Sequence, residues 1–252
     1  MTRPGWMAQA FAHRGLHGPG IPENTLAAFE AAITAGYGIE MDVRLSANGT
    51  PMVFHDSTLE RLAGRSERVA ALTAEELSRI PLAGSGETIQ PLARVLEVIA
   101  DRAPVLIELK PDDALPHALE GAVGSVVSAY AGRAAVMSWN VPSMVWMRRF
   151  LPAIPRGLVV TSFLGGLSFS HHPLLLAATL LPIIRWVDAD FLAHDIRHLP
   201  SRRSAWMRRH GRPVATWTVR TRDQLARATE YADAPVFEGP VERLIALTDT
   251  PL

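Results

Sequence analysis

Four short clusters near the front of the chain hold side chains suited to chemistry: His13-Arg14-Gly15, Glu40-Met41-Asp42, His55-Asp56 and Glu108-Leu109-Lys110. Histidine is the natural proton carrier near neutral pH. Carboxylates supply the all-oxygen ligand set that hard divalent ions prefer. Arginine and lysine neutralise phosphate oxygens. Together these are the equipment for cutting a phosphodiester, provided the clusters converge in space.

The elements between them show how they could. Apolar, β-rich runs recur near Gln9–His13, Gly38–Val43, Pro104–Lys110, Ala134–Trp139, Arg156–Val160, Arg185–Asp190, Pro213–Val219 and Ala234–Phe237. Helix signals lie between them. Asn24 is positioned to cap a helix over Thr25–Ala35 that stops at Gly36. Thr73-x-x-Glu76 and Thr221-x-x-Gln224 read as capping boxes, and Pro91 suits a first helical turn. Eight alternations predict a parallel sheet closed into a TIM (β/α)8 barrel, an ordinary single domain at 252 residues. A doubly wound open sheet is the competing architecture, but no glycine-rich nucleotide loop follows the first strand. The chain contains no internal repeat or low-complexity tract.

Pro51–Phe54 breaks the alternation, because Asn48-Gly49 is too short for a parallel crossover and favours a hairpin turn. With Ala47 opposite Thr50, the hairpin register sets His55 opposite Asp42. Residues 57–90 then form a small insertion after the hairpin, with a short helix near Ala74–Ile80.

In such a barrel the reacting groups sit at the C-terminal ends of strands. Residues i and i+2 of a strand share a face, so Glu40 points with Asp42 and Glu108 with Lys110. Three carboxylates in one small space repel unless a cation neutralises them, and oxygen ligands favour Mg²⁺ or Ca²⁺ over zinc. A structural ion pair of Glu40 and Asp42 with Arg14 or Arg44 is the alternative. Lys110 is the chain's single lysine among 25 basic residues. A compact ammonium there can touch one phosphate oxygen where a guanidinium would not fit. His117, His194, His198 and His210 read as packing or capping residues, and His171 and His172 as a solvated loop.

Composition narrows the partners. The 25 basic residues balance the 25 acidic ones, so no electrostatic footprint for nucleic acid follows. There is no cysteine to form a disulfide or a thiolate site, and Met1–Phe11 has too few consecutive apolar residues for a secretory signal. A cytoplasmic protein is the expectation. The longest apolar stretch, Leu174–Ile184, is interrupted by Pro182 and falls short of the roughly 20 residues of a spanning helix. It reads as a barrel helix, with weak lipid contact as the alternative.

In this order, His13-Arg14-Gly15, Pro22-Glu23-Asn24-Thr25, Glu40-x-Asp42, Asn48-Gly49, His55-Asp56 and Glu108-Leu109-Lys110 resemble the glycerophosphodiester phosphodiesterase family. The likeness extends more weakly to Ser138 and Trp217-Thr218-Val219. It implies a TIM barrel that hydrolyses glycerophosphodiesters to glycerol 3-phosphate and an alcohol. It implies Glu40, Asp42 and Glu108 as ligands of a divalent cation, Mg²⁺ or Ca²⁺, and His13 and His55 as the acid–base pair. Arg14 and Lys110 would hold the phosphate, Trp217 would pack on the glycerol, and Glu23 and Asn24 would brace the first loop. The glycerol hydroxyl would attack first, giving a cyclic phosphate that water opens. The chain departs from the pattern at Asn48, Arg220 and Phe237-Glu238-Gly239-Pro240, of which the last two bear on the substrate. Two other readings keep the barrel: a lysophospholipase D-like activity, and a non-catalytic barrel that binds a phosphorylated ligand.

Overall fold

A computed structural model describes residues 5–111, 116–161 and 182–239. The strands are β1 Phe11–Ala12, β2 Gly38–Leu45, β3 Pro51–Val53, β4 Val105–Leu109, β5 Ala134–Ser138, β6 Arg156–Val160, β7 Phe191–Asp195, β8 Val214–Val219 and β9 Ala234–Phe237. They form one sheet in the order β1-β9-β8-β7-β6-β5-β4-β2-β3, with β1 also paired to β2. Parallel ladders join β2 to β4, β6 to β7, β7 to β8 and β8 to β9. A first strand bonded to both its successor and the last strand, with helices in the crossovers, is the topology of the TIM barrel. The chain divides into two compact units, Ala12–Val136 and Met137–Leu252 with Met1–Phe11.

In the Ala12–Val136 unit the helices are α1 Leu26–Thr34, α2 Glu60–Ala63, α3 Ala74–Leu77, α4 Leu92–Ile99 and α5 Ala118–Ala129. Thr25, not Asn24, caps α1, its hydroxyl accepting from Ala28 N at 3.3 Å. Asn24 has φ +57 and its side chain turns to β2 instead. The box at Thr73 is complete, Glu76 returning to Thr73 N at 2.8 Å.

The hairpin is antiparallel as predicted, but its register differs by one residue. Val43 pairs with Val53, and Phe54 N–H, not a group of His55, reaches Asp42 O at 2.9 Å. The cause is a loop of three residues rather than two. Ser46 N bonds Thr50 O at 3.0 Å, and Gly49 takes the left-handed conformation at φ +77. A type I turn followed by a left-handed glycine inserts one extra residue. Asn48 has a second task here, its side-chain oxygen accepting the Ser46 hydroxyl at 2.7 Å and Ala74 N at 3.0 Å.

The segment after the hairpin has its own small core. Met52, Phe54, Leu59, Val69, Leu77, Ile80, Leu82 and Ile89 are buried together, so α2 and α3 rest on side chains of β3 and its neighbours.

The other unit holds α6 Val141–Phe150, a helix over 182–187, α7 Arg202–Arg209 and α8 Arg222–Tyr231. The strand expected at Arg185–Asp190 is displaced to Phe191–Asp195. Ile184 and Val187 are buried while Arg185 and Trp186 are exposed, a helical spacing that the β-branched composition disguised. Thr221 caps α8, but Gln224 bonds Arg220 N rather than completing the box. Most of Leu174–Ile184, with His171 and His172, lies outside the described residues.

Leu59 is fully buried in the small core and precedes α2. Leu59→Ala is expected to cost about 2–5 kcal/mol of stability, measured by urea unfolding.

Candidate functional site

The alternation of β2 sorts its side chains. Ile39, Met41 and Val43 take one face, Glu40 and Asp42 the other, and all are buried. In the parallel ladder with β4, Asp42 stands beside Glu108. Carboxylate oxygens of Glu40, Asp42 and Glu108 lie within 4.8 Å of one another.

Asp42 is surrounded by donors. Lys110 Nζ is 3.2 Å from Oδ1 and 2.7 Å from Glu108 Oε1. Arg14 Nε is 3.1 Å from Asp42 Oδ2, and Asn24 Nδ2 donates to the same oxygen at 3.1 Å. Asp42 N in turn donates to Asn24 Oδ1 at 3.3 Å. Burial alone would raise this carboxyl, but Lys110 and Arg14, aided by His55 and His13, hold it well below the ordinary range. The ion pair with Arg14 considered from sequence is therefore present. Arg44 Nε donates to His55 O at 2.6 Å.

Glu40 is held differently. Its Oε2 accepts Arg14 N at 3.0 Å and lies 4.0 Å from His13 Nε2. Burial, reinforced by the Asp42 charge, pushes Glu40 up to about 8. Burial also raises Glu108, against the opposing pull of Lys110. Lys110 itself is raised, because Asp42 and Glu108 outweigh its desolvation.

A second layer fixes the loops. Arg14 Nη1 donates to Glu23 Oε1 at 2.7 Å, and Arg61 from α2 grips both Glu23 oxygens at 2.9 and 2.6 Å. Arg61 Nε donates to Asp56 Oδ2 at 2.6 Å, and Asp56 Oδ1 meets His55 Nδ1 at 2.6 Å. His55 is lowered by burial and by the nearby Arg14 and Lys110, with Asp42 opposing. Arg14 has φ +57 and Gly15 φ +78. A Cβ at Gly15 would meet backbone and side-chain atoms of Ala28 at 2.8 Å, so only glycine lets the loop lie against α1.

Seven of the eight residues singled out from sequence, His13, Arg14, Glu40, Asp42, His55, Glu108 and Lys110, thus lie in the Ala12–Val136 unit in this network. Trp217 lies on β8 of the other unit, half-buried, with Nε1–H donating to Ala193 O at 3.2 Å. Sequence reasoning missed Arg61. It sits in an insertion rich in arginine and glutamate, where nothing local distinguishes it from Arg65 or Arg68.

The donor chemistry fits a hard divalent cation. Among the described residues, Arg14, Arg61 and Lys110 reach into a group of carboxylates, Glu23, Glu40, Asp42, Asp56 and Glu108. The strain of that imbalance falls on Glu40 and Glu108, whose protonation burial favours. A divalent ion would relieve it.

The model of the Glycerophosphoryl diester phosphodiesterase family matches residues 13–238. A glycerophosphodiester phosphodiesterase of Caldanaerobacter subterraneus is 33% identical over 159 residues, 59% of this chain and 65% of that protein. One from Bacillus altitudinis is 39% identical over 111 residues, 41% of this chain and 45% of that protein. The chain thus spans less than two thirds of these curated relatives. Among solved structures, an Oleispira antarctica phosphodiesterase in complex with its product sn-glycerol-3-phosphate superposes with a TM-score of 0.82 at 24% identity, covering 96% of this chain and 97% of that one. The Thermotoga maritima glycerophosphodiester phosphodiesterase gives 0.77 at 23% identity, over 96% and 98%. At these identities the structures establish the fold, a TIM barrel.

The raised Glu40 carboxyl has a consequence for stability. With its folded value near 8 against an ordinary 4.5, the native state keeps a proton that the unfolded chain has released, so this group's contribution falls as pH rises through that window. In chelator-treated protein, the melting temperature of Glu40→Gln relative to wild type should therefore climb from the lower to the upper end of the window. A difference independent of pH would contradict it.

Proposed function

Since the chain belongs to the glycerophosphoryl diester phosphodiesterase family, we propose that it hydrolyses a glycerophosphodiester to glycerol 3-phosphate and an alcohol, using a divalent cation held by Glu40, Asp42 and Glu108. The observation that carries this reading is the approach of three carboxylates within 4.8 Å beside two histidines. A bound divalent ion would supply Lewis acidity, drawing charge from a phosphate oxygen and acidifying a hydroxyl.

The remaining work belongs to the chain's own side chains. Asp56 accepts His55 Nδ1–H and fixes the tautomer that leaves Nε2 as a proton acceptor. With its proton affinity lowered, His55 is the base that takes the proton from the glycerol 2-hydroxyl as that oxygen attacks phosphorus. His13 gives its proton to the departing alkoxide. Water then opens the cyclic phosphate, with the two imidazoles in exchanged roles. Arg14 and Lys110, already raised and firmly cationic, orient the phosphate and balance its charge. Arg61 and Glu23 are positioning residues that hold His55 and Arg14 through carboxylate bridges.

Glycerophosphocholine turnover tests the assignment. His13→Ala and His55→Ala should each lower kcat by about 10²–10⁴-fold while the variants melt as cooperatively as wild type. Wild-type-like turnover by either would refute its role. Separately, turnover should vanish in chelator and return with Mg²⁺ or Ca²⁺. Full activity in chelator would remove the cation from the mechanism.

A further inference from the structure

The end of the Met137–Leu252 unit at which its strands begin combines features that catalysis does not use. α6, the helix over 182–187 and α7 lead directly into β6, β7 and β8, which lie side by side and parallel. The last turns of these three helices must therefore share one end. Side chains stitch them together there. Arg148 Nη1 donates to Trp186 O, Arg156 Nε to Val187 O at 3.2 Å, and Arg212 Nη2 meets Asp188 Oδ1 at 3.0 Å.

Each of the three turns ends in arginine beside an aromatic ring: Arg148-Arg149-Phe150, Arg185-Trp186 and Arg208-Arg209-His210. By contrast α1, α4, α5 and α8 carry no basic residue in their last turns. Asp233 pairs with Arg208 and Asp188 with Arg212, whereas Arg148, Arg149, Arg185 and Arg209 are exposed without an ion pair among the described residues. A cavity of about 520 Å³, whose lining includes Arg208, Arg209, Arg212, Pro213 and Asp233, opens at the same end.

A cation at a helix C-terminus is favourable on its own, through the helix dipole. That effect explains one arginine per helix and nothing else here. It does not explain why Trp186 and Phe150 are 57% and 54% exposed, two of the three large hydrophobics that stand out from the described surface. Nor does it explain the missing acids. From Gly121 to Val187 the sequence holds no aspartate or glutamate, although the chain has 25. Arg149 lies over the Phe150 ring with its Cζ 5.4 Å from the centroid, and the Trp146 ring is tilted against Phe150 with centroids 4.8 Å apart. Rings set among guanidinium groups, with Asp188 and Asp233 already paired to Arg212 and Arg208, match an interface that is apolar beneath and anionic at its rim.

We infer that this arginine–aromatic end is a docking face for a bilayer containing anionic phospholipid. Trp186 and Phe150 enter the headgroup boundary, and Arg148, Arg149, Arg185 and Arg209 meet the lipid phosphates. Attachment is peripheral, since no described helix is long and apolar enough to cross a membrane. The inference does not rest on the proposed reaction.

Flotation of the full chain with phosphatidylcholine vesicles, with and without phosphatidylglycerol, tests it. Binding should require phosphatidylglycerol and weaken as salt screens the charges. The triple variant Arg148→Gln/Arg149→Gln/Arg185→Gln should bind roughly a hundred-fold more weakly. Trp186→Ala should also weaken binding, while glycerophosphocholine turnover in solution stays at the wild-type rate in both variants. Failure to float with phosphatidylglycerol at low salt would overturn the inference. So would equal flotation of the triple variant, or a Trp186→Ala change in self-association without vesicle binding, which would mark the face as a contact between copies of the chain.

Discussion

Setting three carboxylates against one another, Glu40 and Asp42 buried and Glu108 partly so, is the constraint to which the rest of this site responds. Two simple rules create it. The two-residue period of a strand turns Glu40 and Asp42 the same way, and parallel pairing of β2 with β4 sets Glu108 beside Asp42. In a low-dielectric interior such charges repel strongly, and either cations or protons must balance them. Arg14 and Lys110 do so for Asp42, which stays ionised. Glu40 and Glu108 take the other course, their proton affinity raised by burial. The group thus holds more acid than its own side chains neutralise, which suits an added divalent charge.

Keeping the cations in place requires structure that would otherwise be unfavourable. Arg14 and Asn24 both adopt left-handed backbone conformations, each of which carries strain for a residue other than glycine. Both are secured by hydrogen bonds: Arg14 N to Glu40, Asn24 N to Arg14 O, and the Asn24 side chain to Asp42. The small core after the hairpin has a parallel task. By packing Leu59 and Leu77, it fixes α2 and delivers Arg61 to Glu23 and Asp56. Arg61 thereby braces His55 through Asp56.

Much of this was legible in the chain. Glu40, Asp42 and Glu108 could be placed together because strand periodicity is strict and their strands are strongly apolar. What escaped depends on geometry that sequence does not encode locally. Asn24 reads as a cap because its neighbour Thr25 can cap equally well, and only tertiary contact with β2 decides between them. The hairpin register turned on whether Asn48-Gly49 closes a loop of two residues or three, which the Ser46 contacts settle. Ile183, Ile184 and Val187 have β-branched composition but a helical burial pattern, so composition alone points to a strand one element before the observed one. Arg61 could not be told from neighbouring arginines, since its importance comes from Glu23 and Asp56 meeting it in space.

As proposed, the carboxylate cluster holds a divalent cation rather than forming a self-contained ion-pair network. Anomalous diffraction from crystals soaked with Mn²⁺ separates the two directly. A cation site gives one strong peak in contact with Glu40, Asp42 and Glu108 together. Crystals without a peak there, in which Arg14 and Lys110 keep their bridges to Asp42, would contradict it.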